Sequence, residues 1–164
     1  MKREQGFSLI ELLIVVAIIA IIAAIAVPSM LQARMAANES GAIQGCRTVG
    51  SAEVAFSAIN NQSYTDLATL VARNFIDNRF TNGFNGYNYT AGTVTVTGAV
   101  GSTANPDGFG ASAAPKSTAT GRYSYGIGPD QVVRYEGTNS DAMKCGSGDC
   151  TVGDAIGTSG SSGS

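Results

Sequence analysis

Glu11 is the residue whose chemistry fits its surroundings least. It stands in the run 7–27 (FSLIELLIVVAIIAIIAAIAV), 21 residues in which only Ser8 and Glu11 are polar. A carboxylate in a membrane segment costs about 2.5–3.5 kcal/mol at the centre and less near an end. Such a charge needs a positive partner, and no Lys or Arg lies between Phe7 and Arg34. The partner therefore has to come from outside this segment. An α-amino group on Phe7, exposed by cutting the bond after Gly6, is a candidate cation.

The other reactive groups exclude more than they suggest. The chain has no His, which removes the commonest general base and metal ligand. Ser-His-Asp and Cys-His catalysis are thereby excluded, and three Cys without His make a poor zinc set. No GxxxxGK[ST] loop occurs, so any ATP spent on this chain is hydrolysed by another protein. Asp141, Asp149 and Asp154 meet no calcium-ligand spacing and read as a solvated loop. A net charge of −2 gives no electrostatic footprint for nucleic acid. Lys116, Arg122, Arg134 and Lys144 read as scattered surface cations. The expectation is no catalytic residue, no metal, no cofactor and no nucleic-acid partner.

The elements that position Glu11 follow from the apolar pattern. As a helix, residues 7–27 are about 31 Å long, enough for a bilayer core. Lys2 and Arg3 hold the short N-terminal cap on the cytoplasmic side. A buried core helix, a plain signal anchor and a secretory signal compete for the run. Ala24-Ile25-Ala26 offers the last of these a cleavage pattern. Glu11 argues against all three, since none gains anything from a buried carboxylate. Pro28 removes one backbone donor and predicts a kink or local unwinding.

From Ser29 to Ile59 the helix continues as an amphipathic one. Met35, Ala42, Val49 and Phe56 recur every seven residues, with Leu31 and Cys46 on or near that face. Arg34, Glu39, Arg47 and Glu53 fall elsewhere or at its edge. The whole helix, 7–59, is roughly 80 Å long and its first half protrudes. Residues 60–164 form the head. Thr65 to Phe75 reads as a short helix capped by Thr65, and 78–86 as turns. Residues 87–89 and 93–97 read as strands about an Ala91-Gly92 turn, and 98–120 as a Gly/Ala/Ser/Pro-rich loop. Residues 122–126 and 131–135 form a hairpin about Gly128-Pro129-Asp130. Three or four antiparallel strands result, with a face to lay on the amphipathic helix.

The array Gly6-Phe7-Ser8-Leu9-Ile10-Glu11, the apolar run and then Pro28 resembles the class III signal of type IV pilins and pseudopilins. The close match covers residues 5–35; Ala20 departs from it, since many pilins carry Gly there. The long helix followed by a small sheet, ending in RYSYGIGPDQVVRYEG, is similar to pilin heads. The resemblance implies an α+β fold, its N-terminal helix packed at its C-terminal half on a small antiparallel sheet. It implies a leader, residues 1–6, cut between Gly6 and Phe7 by prepilin peptidase, with N-methylation of Phe7. It implies that Glu11 guides assembly, meeting the N-terminal ammonium of a neighbouring copy, with Pro28 closing the apolar segment. The implied function is a major pilin, in a helical filament of identical subunits. Its partners are then an inner-membrane assembly platform and its ATPases. The precursor sits in the inner membrane as a single-pass protein, and the assembled filament is extracellular. A type II secretion pseudopilin and an exported or anchored binding domain remain the alternatives. Cys145 and Cys150 lie five apart and pair in one scheme, closing a loop that contributes about 2 kcal/mol. In the other scheme Cys46 pairs with one of them.

Overall fold

A computed structural model describes residues 7–94, 108–137 and 154–155. The first element, α1, is one helix over Leu9–Ile59, 51 residues long. The chain divides into two compact units, 1–34 and 35–164.

In the first unit every described residue, Phe7 through Arg34, is exposed. Ile and Val would ordinarily disfavour a water-exposed helix, but in hydrocarbon a helix satisfies every backbone group within itself. This part of α1 is long and apolar enough to cross a membrane. The unwinding expected at Pro28 is absent: the helix runs through it without interruption. Pro28 deletes a single hydrogen bond, to the Ala24 carbonyl, and the turns on either side stay bonded.

In the second unit α1 carries the packed face. Ala42, Cys46, Val49 and Phe56 are buried, as their spacing predicts, whereas Leu31 is exposed. Glu39 and Glu53, expected at the edge or elsewhere, are buried as well. A loop leads to α2 (Leu67–Ala72), whose N-cap is Asp66 rather than Thr65: the Asp66 carboxylate accepts from Thr69 N at 2.8 Å. The stretch expected as turns contains α3 (Arg79–Asn82) and then Asn85 and Gly86, both at positive φ. A bridge between Phe84 and Tyr87 closes this two-residue turn.

The strands are β1 (Tyr87–Val94), β2 (Gly108–Pro115), β3 (Tyr123–Ile127), β4 (Val133–Gly137) and the two-residue β5 (Asp154–Ala155). They form one antiparallel sheet in sequence order. Ala91-Gly92 is not a turn; it lies inside β1, paired with Ala111 and Gly110. The stretch 98–120, expected as a loop, contains β2, a central strand. Its Gly/Ala sequence has low strand propensity, yet tertiary packing favours it. Tyr89, Ala113, Tyr125 and Tyr135 stand in one row across the sheet. Ala113 fills the gap between the Tyr89 and Tyr125 rings, and all three are buried.

α1 comes down on this row at its glycines. A Cβ on Gly45 would lie 2.5 Å from the Tyr89 ring, and one on Gly50 would lie 2.9 Å from Ile127 Cδ1. Helix and sheet are therefore closer than any side chain at these positions would allow. Leu70, Phe80 and Phe109 complete the core around the aromatic row.

Candidate processing and assembly site

The N-terminal site is built on the start of α1. The first helical hydrogen bond runs from Leu12 N to Ser8 O at 3.3 Å, which makes Ser8 the cap. Phe7 lies outside the helix and is 80% exposed. Glu11 sits three residues after the cap and turns back: its Oε2 accepts from Ser8 N at 3.0 Å. This is the returning half of a capping box, Ser-x-x-Glu. The carboxylate also lies at the positive end of the helix dipole. The Ser8-x-x-Glu11 spacing is legible in the sequence as a capping-box pattern. The bond to Ser8 N uses one oxygen of Glu11 and cancels no charge, so the carboxylate keeps its attraction for a cation.

Gly6, Cys145, Cys150, Asp141, Asp149 and Lys144 lie outside the described residues. Cys46 is a free thiol, 1% exposed, and burial pushes its pKa up to about 12. At neutral pH it is protonated and packs as a small apolar side chain.

The described cations of the later head, Lys116, Arg122 and Arg134, are engaged within the chain. Lys116 Nζ donates to the carbonyls of Asn82 and Gly83 at 3.1 and 3.4 Å. Arg134 pairs with Asp130 at 2.6 Å. Arg122 donates to Glu39 Oε1 from its backbone N at 2.9 Å and from Nε at 3.3 Å. Beside this pair Asn38 Nδ2 donates to Thr120 O at 2.9 Å. Two adjacent residues of α1 thus tie down the β2–β3 connection. Tyr87 OH adds a bond to Tyr123 O at 2.9 Å.

The second buried carboxylate, Glu53, is the most enclosed charged side chain described, at 0% exposure. Its Oε2 accepts from Thr65 N at 3.1 Å, while Oε1 is buried with no partner among the described residues. Burial, reinforced by the nearby Asp66 carboxylate, pushes its pKa up to about 7. The apolar spacing puts Glu53 elsewhere or at the edge of the face, whereas the structure buries it. The signal that it belongs inside is its spacing, since Glu39, Cys46 and Glu53 recur every seven residues.

Residues 1–27 match the family model of the prokaryotic N-terminal methylation motif. No curated protein matches the chain. The capped helix start bearing Glu11, the exposed Phe7 and the start of the exposed apolar helix fall within the matched residues. At its N-terminus the chain carries the prokaryotic N-terminal methylation motif, a class III signal that supports a type IV pilin-like or pseudopilin precursor.

Proposed function

We propose that this chain is the major structural subunit of a type IV pilus and not an enzyme. The supporting observation is the array of Gly6, Phe7, Glu11 and Pro28 around an apolar helix segment whose described side chains are all exposed. Residues 1–6 are the leader, 7–59 the helix with its apolar segment at 7–27, and 60–164 the head. Prepilin peptidase cuts between Gly6 and Phe7 and methylates the new amine. Before that step the precursor is held in the inner membrane by its apolar segment, with the leader in the cytoplasm. The assembly platform and its ATPases then move the subunit into an extracellular filament.

In such a filament the Phe7 ammonium of one copy meets Glu11 of another. A subunit in the wrong axial register leaves a carboxylate in hydrocarbon without a counter-ion, and the cost of that orphan selects the correct offset. The apolar side chains supply adhesion without preference for register. Cys145 and Cys150 pair once the head reaches an oxidising compartment.

Mass spectrometry of sheared surface material tests the reading. The mature chain is expected to begin at methylated Phe7. A chain beginning at Val27 means a secretory signal and overturns the proposal. The same signal serves pseudopilins, whose filaments are short and periplasmic. The long Gly/Ser-rich stretches of the head favour a surface pilus. Images of long extracellular filaments that contain the chain separate the two.

A further inference from the structure

Glu53 does no work in the filament reading, yet it is fully enclosed and faces the segment where the chain leaves α1. That segment is unusual in its backbone. Asn61 and Gln62 both adopt the left-handed conformation, at φ 52° and 62°. This costs on the order of 1 kcal/mol or more per non-Gly residue and persists only if neighbouring contacts hold it. Within the turn, Gln62 N donates to Ser57 O at 2.9 Å and Ser63 N to Asn60 O at 3.0 Å. The contact fastening its far end to the helix is Thr65 N to Glu53 Oε2.

We propose that Glu53 is a proton-controlled latch, holding the 60–66 segment closed on α1 when its carboxyl is neutral and releasing it when the carboxyl ionises.

The geometry gives the direction. In the closed state Oε2 has one backbone donor and Oε1 has none. A neutral carboxyl leaves only a hydroxyl unmade there, whereas a carboxylate leaves an uncompensated buried charge, which costs far more. The charged group acting on Glu53 is Asp66, on the same segment, and it repels the ionised form. Arg73, at the end of α2, does not relieve it. Its Nη1 donates to Asn60 Oδ1 at 3.3 Å, and its guanidinium lies 5.5 Å from the centre of the Phe56 ring.

Opening exposes Glu53 to water, where its pKa returns to that of an ordinary carboxyl, and releases one proton in the window between the two values. The closed state is therefore fully favoured below about pH 4.5, loses ground as pH rises, and has lost the whole contribution above about pH 7. Each pKa unit between the two states changes the closed-to-open ratio tenfold. The latch belongs to the folded head, so it operates inside or outside a filament.

Two measurements on the full mature chain in detergent micelles test it. The first follows the ¹³C shift of the Glu53 carboxyl from pH 4 to 9. A midpoint at or above about 6 is expected, and a lower midpoint overturns the latch. The second is hydrogen exchange at the Thr65 amide, corrected for its intrinsic pH dependence. Protection is expected to fall roughly 10–100-fold between pH 5 and pH 8. In Glu53→Gln, which cannot ionise, protection is expected to be flat across that range. An equal fall in the variant means another group is responsible and overturns the proposal. If Glu53→Gln does not fold, the carboxyl titration alone decides.

Discussion

Glu11 has two separable jobs, because its side chain offers both a hydrogen-bond acceptor and a charge. As an acceptor it satisfies Ser8 N, one of the donors a helix start leaves free. Capping contacts of this kind are worth about 0.5–2 kcal/mol of helix stability. As a charge it is costly in hydrocarbon, and under the proposed function it is offset by a cation from another chain. Glu11→Gln keeps the first job and loses the second; Glu11→Ala loses both. If the charge sets register, both variants are expected to be processed normally, and neither is expected to assemble into filaments, as scored by electron microscopy. The Ser8 amide is expected to lose protection only in Glu11→Ala. Filaments of normal subunit spacing from Glu11→Gln would reduce the residue to a cap. The sequence made the charge legible, since a lone carboxylate among aliphatic side chains cannot be missed. It did not show Glu53 as buried, because a polar residue at a helical core position looks like an interruption of the apolar stripe.

At the scale of elements, close approach matters more than propensity. Gly45 lies within α1, where Ala is favoured over Gly by about 1 kcal/mol in an exposed helix. Here the added methyl would fall 2.5 Å from both Tyr89 Cε1 and the Tyr89 hydroxyl oxygen. Tyr89 is packed edge-on against Phe80 and stacked on Phe84, with ring centres 5.1 and 4.8 Å away, so it has little room to retreat. Overpacking typically costs about 1–3 kcal/mol, which outweighs the propensity gain. Gly45→Ala is therefore expected to lower the melting temperature by several degrees in a calorimetric scan, at about 2–4 °C per kcal/mol for a chain of this size. A rise would mean that the sheet can move away from the helix. The same closeness explains which elements could be read from sequence. α1 and the β3–β4 hairpin carry their own signals, in apolar spacing and in β-branched and aromatic runs. β2 carries none, because its Gly and Ala residues are small in order to fit between tyrosine rows on its neighbours. Its strand character comes from those neighbours, which periodicity within the segment cannot reveal. The Thr65–Asp66 cap was misplaced by one residue for a related reason: both side chains can cap, and only the hydrogen bond to Thr69 N distinguishes them.

For the molecule as a whole, the two units differ in what they bury. Every described residue from Phe7 to Arg34 is exposed, and none of them belongs to the described core. The head, by contrast, has its own core, with Val49, Leu70, Tyr87, Phe109 and Ile127 all at or below 1% exposure. Hydrophobic stabilisation scales with area removed from water, at about 25 cal/mol per Å². If the segment adds no burial to that core, deleting it should cost almost nothing in unfolding free energy. A chain beginning at Met35 is expected to be water-soluble and to melt within a few degrees of the full chain in detergent, followed by circular dichroism. It retains Glu39 and Asn38, and with them the ties to Arg122 and Thr120. The full chain, by contrast, needs detergent, because 21 nearly unbroken apolar residues have no cover of their own. A truncated chain that melts without cooperativity would mean that the head draws its stability from the apolar half of α1. That result would also change the assembly argument, since a helix needed to fold its own head is not free to pack against other copies.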